Sequence, residues 1–491
     1  MDKNVKKVNE ILVNLFNMVL ELEEKAVNES SFKDLSITEV HTLVAIGKGR
    51  PRTMTHVANL LGINVSTLTT AINKLVKKGY VERLRDEEDR RIVRIHLTKE
   101  GVEAVEAHED FHELMITEAL SHIPAEQLPK FISSMDNINN FFLMRKAGAA
   151  ERTGGFDPKP LKLGTHELPV PIVQAGMSIG VAGSSLAAAV AIEGGLGLIG
   201  TSEIGYRAEN FHENKTKANM QTLEKEIKTA LKAVQKAKGK GLIGVSIMWN
   251  DPDAHLYVET AVKAGAQVIV TSAALPTDLP KYCSSKKVAL IPTVSSRRAA
   301  SAIIRNWNNK YNTTPDGFIF QGPQASGLLG FKEAQLEKAE LERYKMISEI
   351  KSELMKLENC PLIVGGGIYG REEAENVYRY GADGFLMGTR FIATEECDAD
   401  DEYKKLYLNC TANDVTIITS PMKTTVRAMK NAFTDKISKA GGEDYDITEA
   451  VRRGVEGDFD NGLIFCSVNA DKIDTISSVK DVFKEFTEER G

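Results

Sequence analysis

Apolar residues recur at helical spacing from Val5 to Leu22 (Val8, Ile11, Leu12, Leu15, Met18, Val19, Leu22), a period that predicts an amphipathic helix with one long apolar stripe. A short helix is expected over 37–46, just after Ser36. Thr53 suits the N-cap of a helix over 54–61, Gly62 suits the left-handed position that ends it, and Asn64 or Ser66 caps the next one. In that next helix Val65, Leu68, Ile72 and Leu75 share a face, leaving Ser66, Thr67, Thr69, Thr70, Asn73, Lys74 and Lys77 outward. YVERLR, the charged tip DEEDRR and IVRIHLT follow, with Val93, Ile95 and Leu97 alternating with Arg94 and His96, which reads as a two-stranded hairpin. Helix, turn, helix and basic hairpin in this order make a winged helix. Beyond it Val102, Val105, Phe111, Leu114 and Met115, then Phe131, Ile138, Phe141 and Phe142, form further stripes that fit either core packing or a dimer interface.

After Arg145 the pattern stops: KAGAAERTGGFDPKPLKLGTHE has small residues, glycines and prolines without period, and reads as a linker. Then eight short apolar runs alternate with amphipathic stretches: PVPIVQA, LGLIGTS, LIGVSIM, AQVIVTS, VALIPTV, DGFIFQG, PLIVGGG and DGFLMGT. Eight βα units predict a TIM barrel with its function at the strand C-terminal ends. An open doubly wound sheet is the alternative, because strand count alone does not show closure. The expected fold is therefore multidomain: an all-α winged helix-turn-helix over 1–146, a linker over 147–164, and an α/β TIM barrel with a C-terminal extension over 165–491.

Composition narrows this. With 42% hydrophobic and 26% charged residues in 491, the chain is of the folding kind. No apolar run reaches the roughly 18 to 20 residues of a membrane span, and the first thirty residues interleave charge with apolar positions unlike a signal peptide. No membrane partner and a cytoplasmic location are expected. Five separated cysteines without CxxC or HExxH give neither a disulfide framework nor a metal site. The net charge of −6 places any nucleic-acid affinity in a local patch, and Lys74, Lys77, Lys78, Arg83, Arg85, Arg90, Arg91, Arg94 and Lys99 supply one. Set on a winged helix, Ser66, Thr67, Thr69, Thr70, Asn73, Lys74 and Lys77 suit a major groove, and Arg90 or Arg91 the adjacent minor groove of double-stranded DNA.

The strand ends carry the second candidate chemistry. They read Gln174-Ala175-Gly176-Met177 after strand one, Gln321 to Gly327 after strand six, Gly365-Gly366-Gly367 after strand seven and Gly388-Thr389-Arg390 after strand eight. Glycines after the last two strands let backbone N–H groups close around a phosphate.

Through INVSTLTTAINKLVKKGYVERLRDEEDRRIVRIHLTKEG the first 146 residues resemble the MarR family of dimeric transcription regulators. NLFNMVLELEE, SFKDLSITEVHTL and DRRIVRIHLTKEG are similar to its branch of fatty-acid-synthesis repressors that answer to acyl-carrier-protein ligands. The resemblance implies a homodimer formed by the N-terminal helix and the helices after the wing, on a near-palindromic operator with half-sites about 10 bp apart. Through PIVQAGM, EGGLGLIG, GVSIM, GPQASGLLGF, VGGGI, GADGFLMGTRF and NGLIFCSVNADKID, residues 160–480 resemble the FMN-dependent nitronate monooxygenases, a family that also contains FMN-dependent enoyl-acyl-carrier-protein reductases. That resemblance implies FMN as cofactor, with Gln174, Ala175, Gly176 and Met177 against the flavin, Gln321 and Ser326 at its ring or ribityl chain, Gly366, Gly367, Gly388 and Thr389 on its phosphate, and Ser246 and Gly327 also among the cofactor-binding residues.

The chain departs from the family at its proton-transferring group. Leu328 stands where the family has a histidine, and leucine transfers no proton. Of His166, His212 and His255, His255 is the candidate replacement because it follows strand three. Ser246, where asparagine is frequent, and Lys423-Thr424-Thr425, where small residues are usual, depart as well. A preformed nitronate is already an anion and needs no base, whereas a neutral nitroalkane does. Two functions therefore stand: an FMN-dependent oxidoreductase for nitronates or acyl thioesters fused to a DNA-binding regulator, or a regulator whose impaired barrel senses flavin or an acyl ligand.

Overall fold

A computed structural model of the chain describes residues 3–48, 51–85, 93–128, 130–132, 134–135, 138, 142, 152, 155–283, 285–439 and 445–487. It divides into two compact units, Met1–Asn137 and Ile138–Gly491.

In the first unit helices α1 (Lys3–Glu29), α2 (Ile37–Ile46), α3 (Met54–Leu61), α4 (Val65–Lys78) and α5 (Lys99–Leu120) surround a small antiparallel sheet. Its strands β1 (Arg52–Thr53), β2 (Val81–Arg85) and β3 (Val93–Leu97) lie in the order β1-β3-β2. Gly62, expected in the left-handed position after α3, has φ +67°. Ser36 and Glu39 form a reciprocal capping box at α2. Asn64, one of the two expected caps, accepts the Thr67 amide at 2.7 Å. Gly79, at φ +86°, turns α4 into β2. Leu43, Ile46, Val57, Leu68, Ile72, Leu75, Ile95, Leu97 and Val105 make the core. Val65 and Val93, expected on buried faces, are exposed because each is the first residue of its element, beyond the edge of that core.

The α1 stripe finds no cover in this unit. Val8, Ile11, Leu15, Met18 and Leu22 are exposed, Phe16 stands 71% exposed beside them, and Leu114 on α5 is 70% exposed. Phe131 and Phe142 are exposed too, and Phe141 lies outside the described residues. The two expectations for these stripes divide: Val105 lies in the core with Val102 packed against it, whereas the α1 residues and Leu114 are left exposed.

In the second unit all eight apolar runs are strands: β6 (Ile172–Gln174), β7 (Leu196–Gly200), β8 (Leu242–Met248), β9 (Val268–Ser272), β10 (Ala289–Val294), β11 (Phe318–Gln321), β13 (Leu362–Gly365) and β14 (Gly384–Met387). They are parallel and close into a barrel, with β14 pairing back onto β6 through Met387↔Gln174, so the open-sheet alternative falls. Alternate residues divide between two cores. Val173, Leu196, Leu198, Val268, Ile291, Ile319 and Ile363 fill the interior, while Ile172, Ile243, Val245, Ile269, Phe318, Phe320, Val364 and Phe385 meet the surrounding helices. A Cβ on Gly197 would stand 2.1 Å from the Ala187 carbonyl oxygen, so β7 and the helix Ser184–Ile192 touch backbone to backbone.

The hairpin β4 (Leu161–Leu163) and β5 (His166–Leu168) departs from the expected linker. The linker expectation missed it because only two apolar positions alternate there, yet Leu161, Leu163 and Leu168 are buried against the barrel interior. Past the barrel, β12 (Gly327–Leu329), β16 (Thr425–Met429) and β15 (Val415–Thr419) form a three-stranded antiparallel sheet.

All five cysteines are buried and unpaired. Burial pushes the Cys360 thiol up to about 12 and the Cys397 and Cys410 thiols to about 11. Among the described residues no helix is long and apolar enough to cross a membrane.

Both tryptophans, Trp249 and Trp307, lie in the barrel unit and report its unfolding. Leu198→Ala empties a fully buried interior position and should lower the unfolding free energy read by tryptophan fluorescence in urea by about 2–5 kcal/mol. A loss below about 1 kcal/mol would mean the interior is not packed as described. A thiol reagent at pH 8 should titrate less than one cysteine per folded chain and all five after unfolding.

Candidate functional site

Ring closure assembles the barrel mouth. The Ala175 amide donates to the Met387 carbonyl at 2.8 Å, which sets the tip of the first strand beside the tip of the last. A Cβ placed on Gly388 would lie 3.5 Å from Ala175 Cβ, 3.9 Å from Ser326 Oγ and 4.0 Å from Met177 Sδ. Four expected cofactor residues therefore converge. Gly176 presses on Ser246, where a Cβ would come within 2.3 Å of the serine Cβ, so no larger residue fits there.

The loops after β11 and β13 interleave in the same way. Gly366 and Gly367 have φ of +107° and +73°. A Cβ on the first would meet the Ala325 amide at 3.0 Å, and one on the second would meet Gln324 Oε1 at 2.6 Å. Gln321 donates through Nε2 to the Leu328 carbonyl at 3.0 Å, tying β11 to β12, and Gly327, at φ +67°, backs onto the Phe465 ring. Among the described residues the backbone N–H groups of Gly366, Gly367, Gly388 and Thr389 donate to no protein acceptor. Unpaired amides at strand tips, three of the four on glycine, are what an anionic group such as a phosphate needs.

Several residues that the sequence reading passed over hold this arrangement. Arg427, nearly fully buried on β16, donates to the Pro323 carbonyl at 2.6 Å and the Ala325 carbonyl at 2.8 Å, with Glu340 at 3.2 Å as its counter-charge. The C-terminal extension adds Ser467, whose amide donates to Thr389 Oγ1 at 3.1 Å, and Asn469, whose Nδ2 donates to the Gly367 carbonyl at 2.5 Å. Asp398 accepts the amides of Gly183, Ser185 and Leu186 at the start of the helix Ser184–Ile192, and burial holds its carboxyl above the ordinary range despite them. The NADKID motif pointed toward the extension, but no sequence signal marked Arg427 or Asp398.

Other residues singled out in the sequence are engaged within the protein. Gln174 is fully buried and its amide is consumed by backbone: Oε1 accepts from the Leu198 amide at 3.1 Å, and Nε2 donates to the carbonyls of Leu198 and Ala175. It braces β6 on β7, and its side chain has nothing left for a ligand. His255 lies on the helix Ala254–Ala264 with its ring 5.6 Å from that of Tyr282, a packing contact. Leu328 pairs with Val426 across β12 and β16 and packs on the cluster of Ile418, Val426, Ala428 and Leu463. Lys423-Thr424-Thr425 is the tight turn into β16, with Lys423 at φ +57° donating its amide to the Ser420 carbonyl. None of Ala175, Met177, Ser246, Gln321, Ser326 and Leu328 titrates.

In the winged helix, Ser66, Thr67, Thr70, Asn73, Lys74 and Lys77 are exposed on α4 and Thr69 is half-buried. Several are already engaged. Ser66 and Thr67 hydroxyls donate to Asn64 Oδ1 at 2.6 and 2.8 Å, Thr69 to the Val65 carbonyl at 2.7 Å, and Thr70 to the Ser66 carbonyl at 3.3 Å. Asn73 Oδ1 accepts from Arg83 at 2.8 Å. Lys78 is held by the Asp34 carbonyl and Glu39, whereas Lys74 and Lys77 make no ion pair among the described residues. Arg90 and Arg91 lie outside the described residues.

The chain thus carries a closed parallel barrel with bare amides at its last two strand tips and, in its first unit, a winged helix. Residues 159–489 match the family model described as nitronate monooxygenase, and the chain belongs to that family, whose members are flavin-dependent. Residues 33–92 match the MarR family model. The chain is 34% identical over 87 residues to the uncharacterized HTH-type transcriptional regulator YpoP of Bacillus subtilis, covering 18% of this chain and 62% of that one. It is 24% identical over 247 residues to (3aS,4S,5R,7aS)-5-hydroxy-7a-methyl-1-oxo-octahydro-1H-indene-4-carboxyl-CoA dehydrogenase of Rhodococcus jostii, covering 50% of this chain and 59% of that one. The chain thus spans about three fifths of the length of either relative. The solved structure of a nitroalkane oxidase from Streptomyces ansochromogenes, 18% identical, shares the barrel fold with a TM-score of 0.52 over 66% of this chain and 97% of that one.

Arg427→Met keeps most of the side-chain volume but strips two loop carbonyls of their charged donor. The barrel should lose about 1.5–3 kcal/mol for each such bond, read as an earlier fluorescence transition. An unshifted transition would show that the guanidinium does not hold the loop.

Proposed function

We propose that the barrel binds FMN and oxidises preformed nitronates, and that the N-terminal unit binds double-stranded DNA as a homodimer. The observation that carries the first half is the set of unpaired amides on Gly366, Gly367, Gly388 and Thr389, which fits the phosphate of the cofactor. Ala175, Gly176 and Met177 line the ring side, with Ser246, Gln321, Ser326 and Gly327 completing the mouth. Bound there, FMN supplies the acceptor for the substrate's electron pair and the site at which dioxygen is reduced.

The chain's own residues bind and orient. The glycine tips hold the phosphate, Ser326 and Gln321 offer hydroxyl and amide groups, and the apolar Leu328, Leu386 and Met177 exclude water. No side chain of the mouth withdraws a proton, so the substrate class is one that arrives deprotonated. General-base catalysis typically contributes 10² to 10⁴ in rate, and a neutral nitroalkane is disfavoured by about that factor. The Leu328 cluster also favours a second reading, in which the barrel keeps flavin or an acyl ligand, free or on acyl carrier protein, as the sensing part of a regulator.

For DNA, Lys74 and Lys77 provide charges for phosphates, and the exposed α1 and α5 stripes provide the self-complementary surface of a two-fold dimer on a palindromic operator. Buried, unpaired cysteines support a cytosolic setting.

The purified protein should be yellow with a flavin spectrum, and Gly388→Val should lose that colour while keeping its far-ultraviolet circular dichroism. A colourless protein that refuses added FMN would sink both barrel readings. Oxygen electrode traces should show uptake with propyl-2-nitronate and about 10²-fold less with neutral 2-nitropropane; equal rates would mean a base exists, and none with either favours the sensor. Lys74→Ala and Lys77→Ala should each weaken binding to a random-sequence duplex and flatten the log–log salt slope by about 1. Slopes unchanged in both would rule out this face.

A further inference from the structure

Four side chains in the winged-helix unit meet at a point that neither DNA reading nor flavin chemistry uses. Glu23 on α1 is only 5% exposed. Around its carboxylate stand His41 of α2, with Nε2 at 3.3 Å, and His112 and His108 of α5, with Nε2 at 2.8 and 4.0 Å. His108 and His112, four residues apart, share one helix face, and their rings lie 4.5 Å apart between centroids.

The cluster is incomplete as a hydrogen-bonded network. Glu23 Oε2 and His108 Nε2 are both buried without a hydrogen-bond partner. A buried carboxylate oxygen and a buried imidazole nitrogen aimed into one space cost free energy unless something fills their valences. Packing does not explain the choice of residues either, since three imidazoles around one acid form a poor apolar core.

We propose that Glu23, His41, His108 and His112 bind a divalent transition-metal ion of the zinc class. The donor set is one carboxylate oxygen and up to three imidazole nitrogens, which suits a borderline cation and not Mg²⁺ or Ca²⁺. The spacing matches. Two ligands at 2.0–2.1 Å from a tetrahedral ion stand about 3.3 Å apart, and the three contacts to Glu23 span 2.8 to 4.0 Å. The ligand atoms of Glu23, His41 and His108 all lie within 4.8 Å of one another.

The absence of CxxC and HExxH spoke against a metal, but H-x₃-H across His108 and His112 was the sequence signal, and only folding adds Glu23 and His41. The ion ties α1, which carries the exposed apolar stripe, to α2 and to α5, the helix that continues from the wing strand β3. It therefore stabilises the geometry that links the dimer surface to the DNA-reading elements.

The test uses the untagged full chain, stripped with a chelator and titrated with Zn²⁺ against a chromophoric chelator, with Mg²⁺ as control. One Zn²⁺ per chain should bind, and Co²⁺ should give the intense visible absorption of a tetrahedral site. Glu23→Gln and His108→Gln should each weaken Zn²⁺ by about 100-fold or more, since even losing a residue that only orients a ligand costs 10- to 100-fold. His112→Gln, at a partly exposed position, supplies a variant that keeps the fold, judged by an unchanged helical signal. Zn²⁺ stoichiometry in the wild type no higher than in the Glu23→Gln/His108→Gln double variant, or His112→Gln affinity equal to wild type together with a Co²⁺ complex lacking tetrahedral absorption, would overturn the site. Flavin content reports separately on the barrel and enters none of these readings.

Discussion

Registration of β14 on β6 is the constraint on which the rest of the second unit depends. Parallel strands leave their C-terminal backbone groups unpaired unless something beyond the sheet satisfies them. Closure gathers eight such ends at one mouth and sets Ala175 beside Gly388. Three residues with side chains at Gly366, Gly367 and Gly388 would fill that space with carbon and turn the loops away. Glycine there keeps the amides bare, and the electrostatic character of the site follows from that absence of side chains.

The loops carrying the site are irregular backbone, and irregular backbone stays in place only when its polar groups are satisfied. Arg427 does this for the loop after β11, reaching two carbonyls from a separate sheet. Asn469 does it for the tip of β13 through the Gly367 carbonyl, and the Ser467 amide holds the Thr389 hydroxyl beside the tip of β14. The C-terminal extension is thus part of the site's framework. Leu328 belongs to the same framework: paired with Val426 across β12 and β16, it packs on the apolar cluster of Ile418, Ala428 and Leu463.

In the first unit the economy is different. A small core of helix and sheet residues leaves α1 largely uncovered, with Phe16 and its neighbours facing solvent. The polar cluster around Glu23 sits where α1 meets α2 and α5, at the junction between that uncovered helix and the DNA-reading elements. A buried acid at such a junction is costly alone and strongly directional once coordinated.

Local pattern determined the elements. The eight strands, the helices over 37–46 and 54–61, the Asn64 cap and the Gly62 stop follow from periodicity and capping chemistry, which act within a few residues. The glycine tips were legible for the same reason. The linker was overextended because β4 and β5 are too short to show a period, and the bracing role of Gln174 was not legible because its partner is the backbone of another strand, invisible in any window of sequence. Closure of the barrel, the clamp of Arg427 on the 323–325 loop and the meeting of Glu23 with three histidines were decided by tertiary structure alone. Each joins atoms far apart along the chain, and such contacts form only when the whole core fixes the distance between the elements that carry them.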